Sequence, residues 1–186
     1  KVPLPPAPDP QYDAESSEQT QLGDLAVMLD LPADQRIFPR EKVSLRKISE
    51  RGGREPWKPL KTADVLVLGD SFSNIYSLEA MGWGEGAGFV EQLSYLLQRP
   101  LDRITRNDNG SYATREILAG ELARGRDRLA GKHLVIYQFA IRELAVGNWK
   151  RIDLKLGTPP ETKYLLIPQG GERIVRGRIE AVSAVP

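Results

Sequence analysis

The sequence predicts an α/β protein built around a parallel β-sheet. Two apolar runs, DVLVLGD at residues 64–70 and KHLVIYQFA at residues 132–140, have the continuous hydrophobicity of strands that are buried on both faces. Between them lie two amphipathic segments and one short strand-like segment, DRITRND at residues 102–108. Because the order is strand, helix, strand, helix, strand, we expect parallel strands with right-handed crossovers in a layered sheet.

The two helices of this core are predicted by their apolar spacing. GFVEQLSYLLQ, residues 88–98, and ATREILAGELARGRDRL, residues 113–129, each place apolar side chains on one helical face. The predicted stripes are Phe89, Leu93, Leu96 and Leu97 in the first helix, and Ile117, Leu118, Leu122 and Leu129 in the second.

The segments before the core predict a lead-in, a short helix and one strand. Residues 1–21 carry five prolines and few apolar side chains, which is typical of a linker. KVSLRKI, residues 42–48, alternates apolar and charged side chains like a half-buried strand. Between the two, apolar residues at helical spacing followed by Pro32 predict a short helix. Those apolar residues are Leu22, Leu25, Met28 and Leu29.

The changes in composition and hydrophobic pattern along the chain predict three parts. They are a Pro-rich lead-in at residues 1–21, an α/β domain at 22–155 and the start of a β-rich region at 156–186. Because three strands make a small α/β sheet, we expect the sheet to be incomplete and the chain to be a piece of a larger protein.

The composition excludes several classes of function. The 186 residues are 40% apolar and 27% charged, as in a soluble globular protein. The formal net charge of +1 gives no basic field for nucleic acid or an anionic membrane. No apolar run reaches the length of a transmembrane helix, about 20 residues. The lack of cysteine excludes disulfides and thiolate metal sites, and we expect neither a metal nor a cofactor.

A serine follows the first buried strand, in Gly69-Asp70-Ser71. Ligands of open α/β sheets bind beyond the carboxyl ends of the strands, where a glycine lets the chain turn sharply. Ser71 would then present its hydroxyl as a nucleophile and its own N–H as an oxyanion donor. The alternative is that Asp70 or Ser71 only caps the next helix.

The other two strand ends add candidates at the same edge. After the second strand, Gly110 could donate a backbone N–H and Asn109 a side-chain amide, although Asn-Gly also favours an ordinary turn. After the third strand, Arg142 could bind a carboxylate or stabilise an oxyanion. The alternative for Arg142 is an ion pair with Glu143 that closes the turn.

A nucleophilic serine needs a base, and the sequence holds one histidine, His133. His133 begins its strand whereas Ser71 follows the end of a parallel neighbour, which separates them by about 20 Å at about 3.3 Å per residue. A base must lie within about 3 Å of the proton that it takes, so His133 is a poor candidate. The remaining candidate bases are Glu143, Asp108 and a residue outside this chain.

Four blocks occur in order: DVLVLGDSFS at 64–73, WGEGAGFVEQLSYLLQRPLD at 83–102, NDNGSYATREILAGEL at 107–122 and GKHLVIYQFAIRELAVGNWK at 131–150. Together they resemble the SGNH-hydrolase-like domain of alginate O-acetyltransferases of the AlgJ/AlgX type. The resemblance implies a three-layer, flavodoxin-like α/β fold and a bacterial periplasmic enzyme. Such an enzyme transfers acetyl groups to hydroxyls of an exopolysaccharide such as alginate through an acyl-serine.

By this resemblance Ser71 matches the nucleophile. The Asp-x-His pair of the family lies upstream of the serine block and occurs nowhere in this sequence. We therefore expect Lys1 to begin after that pair, His and Asp to be supplied from outside this chain, and the chain alone to be inactive. The expected partners are a polysaccharide acceptor and a membrane acyltransferase that delivers the acetyl donor.

Candidate contacts to the sugar are three aromatic residues that could stack on its rings and two polar residues. They are Trp83, Tyr112 and Trp149, with Asp70 and Asn109. Core or rim positions are the alternative for the aromatic residues. The Gly-rich WGEGAGF lacks the Lys-Ser/Thr of a P-loop and is predicted to be a flexible loop beside the serine. Two other functions stay open, namely a carbohydrate acetylesterase of the same fold and an inactive polysaccharide-binding or scaffold protein.

Overall fold

The computed structural model of the protein describes residues 4, 9–53, 55–154 and 156. The chain divides into two units, residues 1–154 and residues 155–186. The predicted β-rich region from residue 156 onward lies outside the described residues, apart from Leu156 itself.

The first unit contains five strands and five α-helices among its described residues. The strands are β1 (Tyr12–Gln21), β2 (Glu41–Glu50), β3 (Val65–Gly69), β4 (Asp102–Thr105) and β5 (Leu134–Gln138). The helices are α1 (Asp24–Met28), α2 (Ser71–Asn74), α3 (Phe89–Leu97), α4 (Gly110–Ala123) and α5 (Glu143–Val146), with a 3-10 turn at Glu79–Met81.

A parallel sheet with the strand order β4-β3-β5 organises the unit. The central strand β3 pairs with β4 up to Gly69↔Thr105 and with β5 up to Gly69↔Gln138, so the three carboxyl ends lie at one edge. The predicted parallel β-α-β-α-β order is therefore confirmed. Every residue of β3 is buried, as its continuous apolar run predicts.

The side chains of β3 alternate between two apolar clusters. Val65 and Val67 pack on one side in a cluster that includes Val90 of α3, whereas Leu66 and Leu68 pack with Leu118 of α4 on the other. The sheet thus lies between two layers, since successive residues of a strand point to opposite faces. Complete burial of such a side chain stabilises the fold by about 1.5–3 kcal/mol.

The stripe predicted for α4 is confirmed. Leu118 is buried, and the other members of the stripe pack against the same cluster, although Leu129 lies beyond the end of the helix. The partly buried members are Ile117, Leu122 and Leu129.

The predicted lead-in differs from the structure in its second half. Residues Tyr12–Gln21 form β1, which pairs antiparallel with β2 from Tyr12↔Glu50 to Gln21↔Glu41. All five prolines of residues 1–21 lie before Gln11, so the strand begins where every residue again has a backbone N–H to donate. Tyr12 is buried in the cluster that contains Val65, which ties this strand to the core.

The short helix α1 is confirmed, but its apolar stripe does not face the core. Leu25, Met28 and Leu29 are exposed, and Ala26 is the residue that the helix buries. A helix of five residues makes little more than one turn. At its first residue, Asp24 accepts a long hydrogen bond of 3.4 Å from Trp83 Nε1, which ties the helix to the Gly-rich segment.

The helix α3 is also confirmed, and its predicted stripe is confirmed in part, since Leu93 and Leu97 pack against the cluster that contains Val65. Glu91 is buried because its Oε1 accepts hydrogen bonds from Arg103 Nη1 at 2.7 Å and from Ser77 Oγ at 2.5 Å. A buried carboxylate needs such partners, and these tie α3 to β4 and to the segment after α2. The buried residues are Val90, Glu91 and Ser94, whereas Phe89 and Leu96 are exposed.

The strand β5 is less buried than its apolar run predicts. Its residues are partly exposed, and Val135 is 41% exposed. Within the described residues β5 has one strand neighbour, β3, so one side of β5 is open. Among the same residues, no helix is both long enough and apolar enough to cross a bilayer.

The Gly-rich segment at residues 83–89 is held in place rather than free. The Gly86 carbonyl accepts from the Ile48 N–H at 2.9 Å, and the Ala87 N–H donates to the Tyr76 carbonyl at 2.9 Å. A Cβ added to Gly88 would lie 2.6 Å from Ser77 Cβ and 2.7 Å from the Ser73 carbonyl oxygen. The predicted flexible loop is therefore a close-packed connection from the 3-10 turn to α3, which lies against β2 and the α2 region, and glycine permits the close contact at residue 88.

We expect Gly88→Ala to lower the free energy of unfolding by about 1–3 kcal/mol, because backbone must move to admit the methyl group. Gly120→Ala is the matched control, since the nearest atom to an added Cβ there is 3.8 Å away. Inside α4 that change should raise stability by about 0.5–1 kcal/mol. Urea unfolding followed by circular dichroism measures both, and equal responses of the two variants would contradict the packing.

Candidate active site

The central strand ends in a tight turn that places Ser71 at the carboxyl edge of the sheet. A Cβ on Gly69 would overlap Ser73 Oγ and lie 3.3 Å from Gln138 Oε1, so only glycine fits there. The Arg106 N–H donates to the Gly69 carbonyl at 3.0 Å and extends the pairing of β3 with β4. Ser71 then begins α2 directly after Asp70.

Asp70 is the cap of α2. Its Oδ1 accepts from the Phe72 N–H at 2.9 Å and from Gln138 Nε2 at 3.0 Å, and its Oδ2 accepts from the Ala140 N–H at 2.6 Å. The capping alternative from the sequence is therefore present in the structure. A buried carboxylate with three protein donors has little capacity left for a substrate, so we assign Asp70 to holding the turn.

Gln138 completes this turn and was missed by the sequence analysis. Its Oε1 accepts from the Asp70 N–H at 3.2 Å and from Ser73 Oγ at 2.6 Å, while its Nε2 supports Asp70. Gln138 lies opposite Gly69 in the pairing of β5 with β3. The signal that could have found it is an amide side chain at the end of an otherwise apolar strand.

Ser71 itself is partly exposed at the start of α2. Within the described part of the chain, neither its hydroxyl nor its backbone N–H has a hydrogen-bond partner. The next N–H of the helix, that of Phe72, is taken by Asp70. Both groups that the sequence assigns to Ser71 are therefore open to a ligand.

The second strand end meets α2 through two asparagines. Asn74 Nδ2 donates to Asn107 Oδ1 at 2.7 Å. Asn109 lies in the left-handed region with φ 54°, and its exposed side chain contacts Asp108 Oδ2 at 3.4 Å. Gly110 also has positive φ, 47°, and begins α4. Among the described residues the Gly110 N–H has no acceptor, which leaves it open as the predicted donor.

Glu143 and Asp108, the two candidate bases within this chain, both have partners. Glu143 is buried, and its Oε2 accepts from the Ser111 N–H at 2.9 Å. Asp108 forms a two-point ion pair with Arg106, at 2.9 Å and 3.1 Å. Both carboxylates are therefore already engaged by other donors, which counts against either as the base for Ser71.

The pKa of Glu143 lies below that of a free glutamate. The main cause is the hydrogen bond from the Ser111 N–H. The Ser111 hydroxyl lowers the pKa further, although its geometry falls short of a full hydrogen bond. Burial acts in the opposite direction, and the charge of Arg142 lowers the pKa slightly. A carboxylate with a lowered pKa is a weaker base.

Arg142 lies between Glu143 and the start of α2. Its Nε is 3.9 Å from Glu143 Oε1, at the limit of an ion pair. Its guanidinium stacks over the Phe72 ring, 5.6 Å from the centroid, beside Ser71. The side chain is largely exposed, so its donors remain available to an anionic group.

The aromatic candidates separate into two groups. Trp83 is buried against α1, so the core alternative is correct for it, and its stacking on a sugar is excluded in this conformation. Tyr112 and Trp149 flank the guanidinium of Arg115, at 5.6 Å and 5.3 Å from their ring centroids. Trp149 also donates its Nε1–H to the Glu143 carbonyl at 2.6 Å. These two rings lie near the third strand end and stay partly exposed.

His133 lies at the far edge of the sheet. Its N–H donates to the Asp64 carbonyl at 2.7 Å, one residue before the pair Val65↔Leu134 that opens the sheet. It is therefore remote from Ser71, as the strand lengths predict. In the described part of the chain no group of three or more His, Asp or Glu side chains could hold a metal ion.

A solved structure of the O-acetyltransferase domain of Pseudomonas putida AlgJ aligns with this architecture at a TM-score of 0.54 and 16% sequence identity. The chain has the fold of that domain. The alignment covers 80% of this chain and 47% of the AlgJ chain, so the protein spans about half of its length. The predicted SGNH-like α/β fold is thereby confirmed.

A second alignment is with Pseudomonas aeruginosa AlgX, at a TM-score of 0.46 and 15% identity, and covers 72% of this chain and 27% of AlgX. No protein-family model matches the sequence, and no curated protein matches it.

Replacing Asp70 with alanine is expected to lower the free energy of unfolding by about 2–3 kcal/mol. The helix cap is lost, and the Ala140 N–H and the Gln138 amide lose their acceptor. Asp108→Ala is the control, because that exposed carboxylate contributes at most about 0.5 kcal/mol. Urea unfolding measures both variants, and a loss in Asp70→Ala no greater than in the control would contradict the capping role.

Proposed function

We propose that this chain is the serine-bearing part of an enzyme that transfers acetyl groups to hydroxyls of a bacterial exopolysaccharide such as alginate. The observation that carries the proposal is the arrangement at Ser71. It begins a helix at the carboxyl edge of the sheet, and its hydroxyl and N–H have no partner among the described residues. The shared fold with an O-acetyltransferase domain supports this class of reaction.

In the first step Ser71 Oγ attacks the acetyl carbonyl carbon of the donor while a base takes the hydroxyl proton. The tetrahedral intermediate collapses to acetyl-serine, and the leaving group departs with a proton. In the second step a sugar hydroxyl attacks the acetyl-serine and gives its proton to the same base. Ser71 leaves, is reprotonated, and the acetyl ester stays on the sugar.

The N–H groups of Ser71 and Gly110 are the proposed donors to the oxyanion of both tetrahedral intermediates. Ser71 lies two residues after the end of β3 and Gly110 five residues after the end of the neighbouring strand β4, and both N–H groups lack an acceptor among the described residues. A single donor of this kind contributes about 3 kcal/mol to catalysis. Arg142 is a further proposed contact, because its exposed guanidinium stacks on Phe72 next to the serine.

The base is the part that the described residues do not supply. His133 is at the opposite edge of the sheet, and Glu143 and Asp108 are held by Ser111 and Arg106. We therefore propose that a histidine, with an aspartate to orient it, comes from outside this sequence.

The acceptor is proposed to be a polysaccharide that lies along the edge near Tyr112 and Trp149. Both rings are partly exposed and could stack on sugar rings, with Asn109 as an exposed amide close by. Transfer to a sugar rather than to water requires that the acceptor exclude water from the acetyl-serine. A membrane acyltransferase is the proposed source of the acetyl donor, and the periplasm is the proposed location.

The first test is turnover of a small chromogenic acetyl ester by this chain and by the full product of its gene. We expect turnover only in a product that also encodes an Asp-x-His pair, because a serine hydroxyl without a base is a poor nucleophile. In that product Ser71→Ala should lower the rate at least about 1,000-fold and abolish the acetyl adduct in mass spectrometry. Ser44→Ala, on the exposed side of β2, is the matched control and should leave the rate unchanged.

The outcomes separate the candidate functions. Acetyl transfer to an added oligosaccharide in competition with water supports the transferase. Release of acetate alone, with no acetylated sugar, would identify an esterase. Turnover by this chain alone would place the base within it and contradict the assignment of the base to outside residues. No adduct and no turnover in any form would favour a polysaccharide-binding protein.

A further inference from the structure

We propose that Glu143 is a positioning residue that fixes the first turn of α4, and not the base that its place beside the serine edge would allow. Its importance for catalysis rests on the proposed function, whereas its role in holding α4 does not. The sequence marks Glu143 only as a carboxylate near Ser71 or as the partner of Arg142. The geometry points to a third role, in which the carboxylate holds the backbone that presents Gly110.

The space around the carboxylate is shaped by two glycines. A Cβ on Gly110 would overlap the Glu143 carboxylate, with carboxylate atoms also at 2.6 Å. A Cβ on Gly147 would lie 2.8 Å from Glu143 Oε2. Gly110 has φ 47°, a conformation that also favours glycine. Two glycines from different loops thus make room for one carboxylate, which is close packing that a solvent-facing base would not need.

The carboxylate is directed at the backbone of α4. Glu143 Oε2 accepts from the Ser111 N–H at 2.9 Å, which satisfies the second N–H of the helix. The N–H groups of Tyr112 and Ala113 donate to the Asn109 carbonyl. Within the described residues, the Gly110 N–H is therefore the one in this turn that remains open.

A second set of contacts holds Glu143 itself. Trp149 Nε1 donates to the Glu143 carbonyl at 2.6 Å, and Arg115 of α4 lies over the Trp149 ring. Arg115 also donates to the Asn148 carbonyl at 2.6 Å and to the Lys150 carbonyl at 3.2 Å. The segment after α5 is thus fastened to α4 independently of the carboxylate, so loss of the carboxylate should loosen the first turn of α4 without detaching the segment.

The charge of Glu143 agrees with this role. The charged groups near it are Arg142, at 3.9 Å, and Arg115, whose Nε donates to the Ser111 carbonyl at 3.2 Å. The Tyr137 hydroxyl donates to the same carbonyl. The hydrogen bond from the Ser111 N–H lowers the pKa of Glu143, so the carboxylate is ionised under neutral conditions. Because the pKa is lowered in the folded state, the stability that it contributes is present above the pKa of a free glutamate and is lost as the pH falls through the folded value.

The test uses Glu143→Gln and Glu143→Leu, with Glu116→Gln on the exposed side of α4 as the control. Glutamine keeps an oxygen that can accept from the Ser111 N–H but cannot serve as a base, and leucine removes the acceptor. Two-dimensional NMR of the chain follows the Ser111 amide through an acidic pH titration. Ester turnover of the gene product that proves active is measured in parallel.

We expect the Ser111 amide to titrate in wild type and in the control, below the pKa of a free glutamate, and to lose that titration in both Glu143 variants. Glu143→Gln should keep kcat within about 3-fold of wild type. Glu143→Leu should lose kcat about 10- to 100-fold with little change in KM, because a displaced Gly110 N–H acts on the transition state.

Two results would overturn the proposal. One is a Ser111 amide that does not respond to Glu143. The other is a Glu143→Gln variant as inactive as Glu143→Leu while the amide keeps its wild-type position, which would make Glu143 a proton carrier. If no form turns over an ester, the proposed function fails, and the amide titration alone decides whether Glu143 holds α4.

Discussion

The Asp70 carboxylate is the constraint on which the arrangement at the serine edge depends. It is buried at the end of the central strand, and its two oxygens receive the N–H groups of Phe72 and Ala140 and the amide of Gln138. These donors belong to α2, to the last residue of β5 and to the segment that follows β5, so one charge holds all three together. A buried charge is costly unless all its partners are in place, which makes the turn around Ser71 cooperative.

The two edges of the sheet use charge in opposite ways. At the amino edge the charged side chains pair with one another. The buried Asp102 forms ion pairs with Arg128 at 2.5 Å and with Lys132 at 3.4 Å. Lys132 also donates to the Ala63 carbonyl. At the carboxyl edge Asp70 and Glu143 receive backbone N–H groups one residue after the first of each helix. The first N–H groups therefore stay open. Charged side chains therefore stabilise the amino edge, whereas at the carboxyl edge they leave backbone N–H donors without an acceptor. Ligands of parallel sheets bind at that carboxyl edge.

The sequence predicts the parts of the fold that local patterns determine. The apolar runs of β3 and β5 and the stripe of α4 are such patterns. The sequence analysis missed β1, because its mostly polar residues pair with β2 across a long loop. Only Tyr12 of the strand is fully buried, and Ala14 packs partly against the core. The stripe of α3 was also wrong at Phe89 and Leu96, although Leu93 and Leu97 pack against the core. It missed Glu91, which is buried with Arg103 of β4 as its partner. Both misses come from contacts between residues distant in sequence, which periodicity does not record.

The same distinction between local patterns and long-range contacts holds for the candidate site. The spacing of strands and the glycines after them predict which chain segments meet, and the structure brings Ser71, Asn107 and Arg142 to one edge. The spacing does not show which carboxylate is already occupied. A base needs a lone pair aimed at the nucleophile, and the hydrogen bond from a helix N–H lowers the pKa of the Glu143 carboxylate and makes it less basic. In the proposed mechanism Glu143 therefore orders the first turn of α4, although its position alone implied proton transfer, and the base for Ser71 is proposed to come from outside this chain.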